Sequence, residues 1–158
     1  MKYLLSLILL TNITFASYII EFKGLEIGEI KNFNSLEQNY LEADVTNSIA
    51  RFLLGKDKFV FYNEDYKGLK DDDNTKYKKD KYAIIYILKK AAANDTKEER
   101  LQIKENKYID IKFDTDYKFK YTSKERVKSE GYFVMKDGKL ETFKEEVNSI
   151  NIIKKEEE

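Results

Sequence analysis

Apolar and polar residues alternate with a period of two along much of this 158-residue chain, and no other feature of the sequence restricts its fold as strongly. Ile109 and Ile111, for example, alternate with Tyr108, Asp110 and Lys112. Successive side chains of a β-strand point to opposite faces of a sheet, so this spacing predicts strands with one buried face and one wet face. About eight such segments predict a mainly antiparallel sheet.

Turn signals separate these segments. Gly24 allows a tight turn after the first strand, and Gly28 indicates a bulge or a close approach of two backbones. Asn106 belongs to a later turn, and Asp137 followed by Gly138 is the strongest short hairpin signal in the chain. The sheet is therefore expected to be built largely from hairpins.

Two segments near the middle of the chain have helical spacing. The first is expected to begin after Thr46, which is its predicted N-cap, and to end at Gly55. Ile49, Phe52 and Leu53 are spaced i, i+3, i+4 and so share one helical face. That face is predicted to pack on the sheet.

The second segment covers residues 82–88 and is compatible with a helix or a strand. A helix places four of its side chains on one face: Tyr82, Ile85, Tyr86 and Lys89. We favour the helix because Asp80 is a good N-cap and the alanines at 91–93 prolong the run, which otherwise ends at Leu88.

The predicted fold class is α+β, mainly β, with a curved antiparallel sheet or half-open barrel into which two short helices are inserted. Residues 64–80 are rich in Lys and Asp and are expected to form a mobile loop. Residues 17–153 form one predicted β-rich domain, and residues 154–158 form a charged tail that is expected to fray.

The first 16 residues have the order of an export signal. Lys2 provides the positive start, residues 4–10 are almost wholly apolar, and Thr14 and Ala16 are small residues at the positions that precede a cleavage site. The apolar run is shorter than the ~20 residues that span a bilayer. We predict a signal peptide cleaved after Ala16 and a periplasmic protein that is not membrane-embedded; a buried N-terminal helix and a retained anchor are the alternatives.

Composition restricts the function classes. The chain has 29 basic and 29 acidic residues, and residues 1–16 contain one Lys and no acid, so 28 and 29 remain and the net charge becomes −1. Such a chain is not expected to bind nucleic acid, which requires clustered positive charge. Because His and Cys are both absent, the commonest general base, the commonest nucleophile and the usual zinc ligands are missing. No cofactor and no metal are expected.

The acidic run at residues 71–74 is the best metal candidate. A calcium loop that began at Asp71 would need Gly at its sixth position and Glu at its twelfth, where Lys76 and Tyr82 stand. A solvated loop is therefore the favoured interpretation.

The aromatic and basic residues that alternate over 117–121 permit stacking on bases or sugars. The simpler reading places the rings of Tyr117, Phe119 and Tyr121 in the core and Lys118 and Lys120 in water.

Acid–base catalysis by two carboxylates is the remaining enzymatic route. The candidates are Glu21, Glu26, Glu29, Glu42 and Asp44. No pair among them stands out by spacing, and no serine has a histidine partner, so we expect a non-enzymatic protein.

Residues 18–29, which read YIIEFKGLEIGE, resemble the start of the bacterial domain-of-unknown-function family 3108. Members of that family are secreted proteins that begin with an aromatic strand, a glycine turn and an I-G-E-like step. The order of elements is similar over most of residues 17–153. The resemblance implies a sheet similar to the half-open barrels of periplasmic lipoprotein carriers, and the family has no agreed activity to carry over.

Two functional hypotheses follow. The first is an interaction or structural accessory of an envelope assembly, such as a secretion or flagellar apparatus, with an envelope protein as its partner. The alternative is a periplasmic carrier that holds an apolar or lipid ligand between the concave sheet and the helix at 82–88. Five rings motivate the carrier: Phe59, Phe61, Phe113, Phe119 and Tyr121.

Overall fold

The computed structural model describes residues 16–94, 97–113 and 116–156, except the side chain of Phe113. Within these residues the chain forms one eleven-stranded sheet, two α-helices and a 3₁₀ turn. The strands are β1 (Tyr18–Phe22), β2 (Leu25–Ile30), β3 (Tyr40–Asp44), β4 (Lys58–Tyr62), β5 (Thr75–Lys79), β6 (Glu99–Lys104), β7 (Lys107–Phe113), β8 (Tyr117–Ser123), β9 (Arg126–Lys136), β10 (Lys139–Glu145) and β11 (Ile150–Lys154). The helices are α1 (Ser48–Leu54) and α2 (Ile84–Ala92), and the 3₁₀ turn spans Asn34–Gln38. The predicted export signal lies outside the described residues except for Ala16.

The sheet is open and curved, which confirms the predicted fold class. Its strand order is β5-β4-β3-β2-β1-β11-β10-β9-β8-β7-β6. The first and last strands meet in the middle, where Tyr18 pairs with Lys154 and Phe22 with Ile150. All pairings are antiparallel except β4 with β5.

The expectation of a loop across residues 64–80 was wrong at its end, because Thr75–Lys79 forms β5 and pairs with β4 in parallel. The acidic run forms the turn before this strand: Asp72 accepts hydrogen bonds from the Asn74 N–H and the Thr75 hydroxyl, both at 2.8 Å. These bonds hold the pKa of Asp72 below its usual value. Sequence patterns do not predict this strand, because it has few apolar side chains and is held by backbone pairing with β4.

The predicted start of the charged tail was also wrong. Lys154 belongs to β11, and the Lys155 N–H donates to the Ser17 carbonyl oxygen at 2.9 Å. Pairing with the first strand therefore orders residues whose side chains alone predict fraying.

Helix α1 has a different cap and a different orientation from those predicted. Asn47, not Thr46, caps it, and its side-chain oxygen accepts from the Ile49 and Ala50 N–H groups at 2.8 and 3.1 Å. Gly55 ends it in the left-handed conformation, as predicted. The buried residue is Ala50, whereas the predicted inward face is in solvent: Ile49, Phe52 and Leu53 are 58%, 87% and 68% exposed.

Helix α2 confirms the helical reading of residues 82–88, although it begins at Ile84. Burial is not confined to the predicted face of Tyr82, Ile85, Tyr86 and Lys89, because the helix lies in the core and is buried on most sides. Its buried side chains are Ile84, Ile85, Ile87, Leu88 and Ala91. No helix in the described part of the chain is long and apolar enough to cross a bilayer.

Tight backbone approaches fix the sheet where the sequence predicted them. A Cβ on Gly28 would lie 2.2 Å from the Asp44 carbonyl oxygen, so only glycine fits there. The register between β1 and β2 shifts beside it, and Ile27 is the extra residue of the resulting bulge. Asp137 and Gly138 both have positive φ, as a type I′ hairpin turn requires.

A further hairpin turn lacks the usual residues. Lys124 and Glu125 join β8 to β9 with φ values of 51° and 61°. The left-handed region costs a residue with a Cβ ~1–2 kcal/mol, so this turn is strained and gives no sequence signal.

Replacing Glu125 with Gly is expected to stabilise the protein by about 0.5–1 kcal/mol, since glycine removes the left-handed penalty but loses more backbone entropy on folding. Urea unfolding of the variant measures the gain. Glu125→Ala is the matched control, because it removes the same charge and keeps the Cβ. An equal gain in both variants would assign the effect to charge and contradict the strained turn.

Candidate functional site

An apolar groove opens between the concave face of the sheet and the start of α2. Its volume is about 620 Å³, within the ~300–1,000 Å³ typical of ligand pockets. The side chains that form its floor and walls are mostly aliphatic or aromatic: Ile20, Phe22, Ile27, Leu54, Phe59, Phe61, Tyr82, Ile84, Val147 and Ile150. The lining of the groove is therefore mainly apolar.

Strand alternation supplies the walls. Ile20 and Phe22 are two apart on β1, and Phe59 and Phe61 are two apart on β4, so each pair points to one face. The bulge beside Gly28 adds Ile27 to the groove, whereas regular pairing would have pointed this side chain to the opposite face of the sheet. The two rings on β4 stack with centroids 6.0 Å apart. The floor is thus a continuous apolar surface.

The floor continues under α2. A small recess of about 20 Å³ lies there, among Ile20, Phe61, Ile84 and Ile152. Ile85 and Ile152 are fully buried beside it. The groove therefore deepens towards the core.

Lysines line one rim. In the parallel register of β4 and β5, Phe59 pairs with Lys76 and Phe61 with Lys78, so these lysines extend the face that carries the two rings. Among the described residues, Lys76 and Lys78 have no hydrogen-bond or ion-pair partner. Lys23 and Lys79 also line the groove. The rim therefore presents an excess of positive charge beside an apolar floor.

The two carboxylates at the groove are engaged within the protein. Glu21 accepts a hydrogen bond from the Asn151 amide at 3.0 Å. Asp80 accepts from the backbone N–H groups of Tyr82 at 3.0 Å and Ile85 at 2.8 Å and so helps to fix the start of α2, but the N-cap is Ala83 and not, as predicted, Asp80. Burial raises the pKa of Asp80, and the N–H donors oppose that rise. Both acids have structural partners and leave the rim positive.

Of the five rings named from the sequence, two line the groove. Phe59 and Phe61 do so, whereas Phe119 and Tyr121 are buried in the packed core. Phe119 stacks on Phe143 with centroids 5.1 Å apart, and Lys118 and Lys120 are exposed, so the core reading of residues 117–121 is confirmed. The side chain of Phe113 lies outside the described set.

Of the five candidate carboxylates, Glu21 lines the groove and the other four lie elsewhere. Glu29, Glu42 and Asp44 do come together, around an open cavity of about 230 Å³ near the 3₁₀ turn. Each has a lysine partner: Lys155–Glu29 at 3.1 Å, Lys58–Glu42 at 2.9 Å and Lys31–Asp44 at 2.6 Å. Glu26 accepts from the Thr46 hydroxyl at 3.3 Å. The pattern is that of a charged sheet surface.

Two further cavities are lined mainly by charged and polar side chains. One, over the outer face of β6 to β9, is lined mainly by side chains of both charges, and ion pairs such as Arg100–Asp110 at 3.3 Å cross it. The other lies between Tyr86 and the lysines of β6 and β7, two of which pair with Glu64. Among the described residues, no group of three or more acidic side chains is placed to hold a metal ion.

Sequence reasoning missed the lysine rim because residues 64–80 were assigned to a loop. The signal that was available is the period-two spacing of Thr75, Tyr77 and Lys79, which leaves Lys76 and Lys78 on the other face.

No protein-family model, no curated protein and no solved structure matches this chain. The resemblance to family 3108 stays a prediction.

Asp80 generates a pH-dependent test of the groove wall. Because its pKa is higher in the folded chain than its usual 3.8, its contribution to stability is greatest at low pH and falls as pH rises through the folded-state pKa. The unfolding free energy of wild type minus that of Asp80→Asn is therefore expected to decrease as pH rises from about 3 to 7. Urea titrations across that range measure it.

The matched control is Asp71→Asn, which removes an exposed carboxyl outside the groove, and an equal pH dependence in the two variants would contradict the role of Asp80. A difference for Asp80→Asn that grows with pH would show that the N–H donors outweigh burial.

Proposed function

We propose that this protein is exported to the periplasm and binds, without catalysis, a single-chain amphiphile with an anionic head group, such as a fatty acid. The observation that carries the proposal is the combination of an apolar groove with unpaired lysines on one rim. The groove would hold the alkyl chain of the ligand, and the lysines of the rim would bind its head group. This is the carrier hypothesis in a more specific form.

The apolar surface supplies most of the expected affinity. Burial of apolar area contributes ~25 cal/mol per Å², so transfer of an alkyl chain from water to the floor formed by Phe59, Phe61 and Ile84 is strongly favourable. The groove is also open along one side, which permits a chain to enter from solvent or from another surface without unfolding the sheet.

The lysines give the expected selectivity. Lys76 and Lys78 have no carboxylate partner among the described residues, so a bound anion would not have to displace an existing ion pair. A carboxylate or phosphate near two ammonium groups forms charge-assisted hydrogen bonds, whereas a neutral hydroxyl of the same length does not. At equal chain length, an amphiphile with an anionic head group should therefore bind more tightly than one with a neutral head group.

The double variant Lys76→Gln/Lys78→Gln is expected to bind a fluorescent fatty acid about tenfold more weakly, because each partly exposed charge contributes ~0.5–1 kcal/mol. Affinity for the matching fatty alcohol should be unchanged. Fluorescence titration with both probes measures the two affinities.

The matched control is Lys67→Gln/Lys70→Gln, which removes the same charge from an exposed segment outside the groove. Ile27→Trp is the second test variant, since a bulky indole ring in the groove should weaken binding of both ligands. Equal loss in both lysine variants, or no binding of either probe by wild type, would refute the proposal.

An envelope interaction protein is the second candidate. The observation that favours it is the edge strand β6, which has β7 as its only strand neighbour in the described part of the sheet. Six residues of edge backbone can accept a strand from a partner protein. Arg100, Gln102 and Lys104 lie on the exposed face of this strand, where Arg100 pairs with Asp110 and Lys104 with Glu64.

Native mass spectrometry of the protein taken from the periplasm after gentle crosslinking separates the two candidates. The carrier predicts the mass of residues 17–158 plus a small acyl ligand, which also tests cleavage after Ala16. The interaction protein predicts a complex with a second protein. A mass equal to the bare chain would count against both, and a mass that includes Met1 would refute export with cleavage.

A further inference from the structure

We propose that the exposed face of α1, together with the groove mouth, docks the protein onto an anionic lipid surface. The α1 face consists of Ile49, Phe52 and Leu53. The inference rests on the proposed function, because docking would place the mouth of the groove where an amphiphile leaves or enters a bilayer. It rests on its own observations of exposure, continuity and charge.

The α1 face has no cover within the described residues. Phe52 is 87% exposed and Leu53 68%, in a protein whose other large side chains are mostly buried. Helical spacing puts Ile49 on the same side as these two. Single exposed apolar residues are ordinary, but three on one helical face indicate a surface that is covered during function.

The α1 face leads directly to the groove. Leu54 is the next residue along the helix and lines the groove while remaining 37% exposed. Across the mouth, Phe22 and Val147 also line the groove and are 39% and 52% exposed. Exposed apolar side chains therefore flank the opening on both sides.

Charge complementarity favours an anionic lipid surface. The groove is lined by Lys23, Lys76, Lys78 and Lys79, whereas its two carboxylates accept hydrogen bonds within the protein. Juxtaposed lysines and exposed apolar side chains are the composition of segments that lie in the head-group region of membranes.

The α1 face by itself is small. Its one aromatic side chain buries ~150–250 Å² when fully covered, and together with Ile49 and Leu53 it falls short of the ~800 Å² per partner in a stable protein complex. A seven-residue helix with a large exposed ring suits shallow insertion between head groups.

The test is partitioning of the periplasmic protein onto vesicles of phosphatidylethanolamine with phosphatidylglycerol, measured by co-sedimentation. Phe52→Gln/Leu53→Gln is expected to reduce partitioning at least tenfold, because two apolar side chains are lost from the inserted face without a change of charge. Vesicles of phosphatidylcholine alone should bind wild type more weakly, and added salt should weaken binding to the anionic vesicles.

The matched control is Leu69→Gln/Val127→Gln, which replaces two exposed apolar residues (53% and 45%) outside the mouth and should leave partitioning unchanged. Fatty-acid binding in free solution checks that Phe52→Gln/Leu53→Gln still folds and keeps its groove, and this binding should be retained.

The outcomes separate docking from ligand binding. Vesicle binding that needs the α1 face, in a protein that binds no fatty acid, supports docking and refutes the proposed function. Fatty-acid binding without vesicle binding, or equal loss in both double variants, overturns the docking inference. A dimer in sedimentation analysis that Phe52→Gln/Leu53→Gln dissolves also overturns it, in favour of a second copy, and a specific protein partner lost in the same variant overturns it in favour of that partner.

Discussion

One short helix must cover the concave face of a wide sheet, and the groove follows from that mismatch in size. Helix α2 has nine residues and is therefore ~14 Å long, whereas eleven strands at ~4.8 Å spacing extend ~48 Å across the sheet. In this helix Ile85, Ile87 and Leu88 are completely buried, and a groove remains between its start and the strands near β4. The groove is the part of the face that α2 does not reach.

Pairing between the chain ends gives that face its continuity. β1 and β11 lie side by side in the centre, so Ile20 and Ile152 from opposite ends of the chain form one wall and part of one core. The Tyr18 hydroxyl donates to the Leu140 carbonyl oxygen at 3.1 Å and ties the same region to β10. Damage to either terminal strand would therefore affect the core and the groove together.

The polar edge of the sheet gives the groove its chemical character. β5 adds no apolar side chains to the floor, but its register with β4 places Lys76 beside Phe59 and Lys78 beside Phe61. Two lysines are thus the cross-strand neighbours of two aromatic side chains in the floor, at an edge of the sheet that faces solvent. Charged residues also protect edge strands from pairing with other chains. The same lysines therefore serve both this protection and the proposed ligand selectivity.

Sequence patterns predict most strands, an irregularity at Gly28 and the hairpin at Asp137, and they favour a helix at residues 82–88, because each depends on local spacing or on a backbone conformation that few residues adopt. Long-range contacts were needed to establish that β5 is a strand, that the α1 face points into solvent and that Lys76 lies beside Phe59. Those outcomes depend on which edge and which face remain open after the sheet has assembled. Helical spacing shows that Ile49, Phe52 and Leu53 share a side, but the position of Ala50 against the sheet sets the direction of that side, and contacts between residues distant in sequence fix that position.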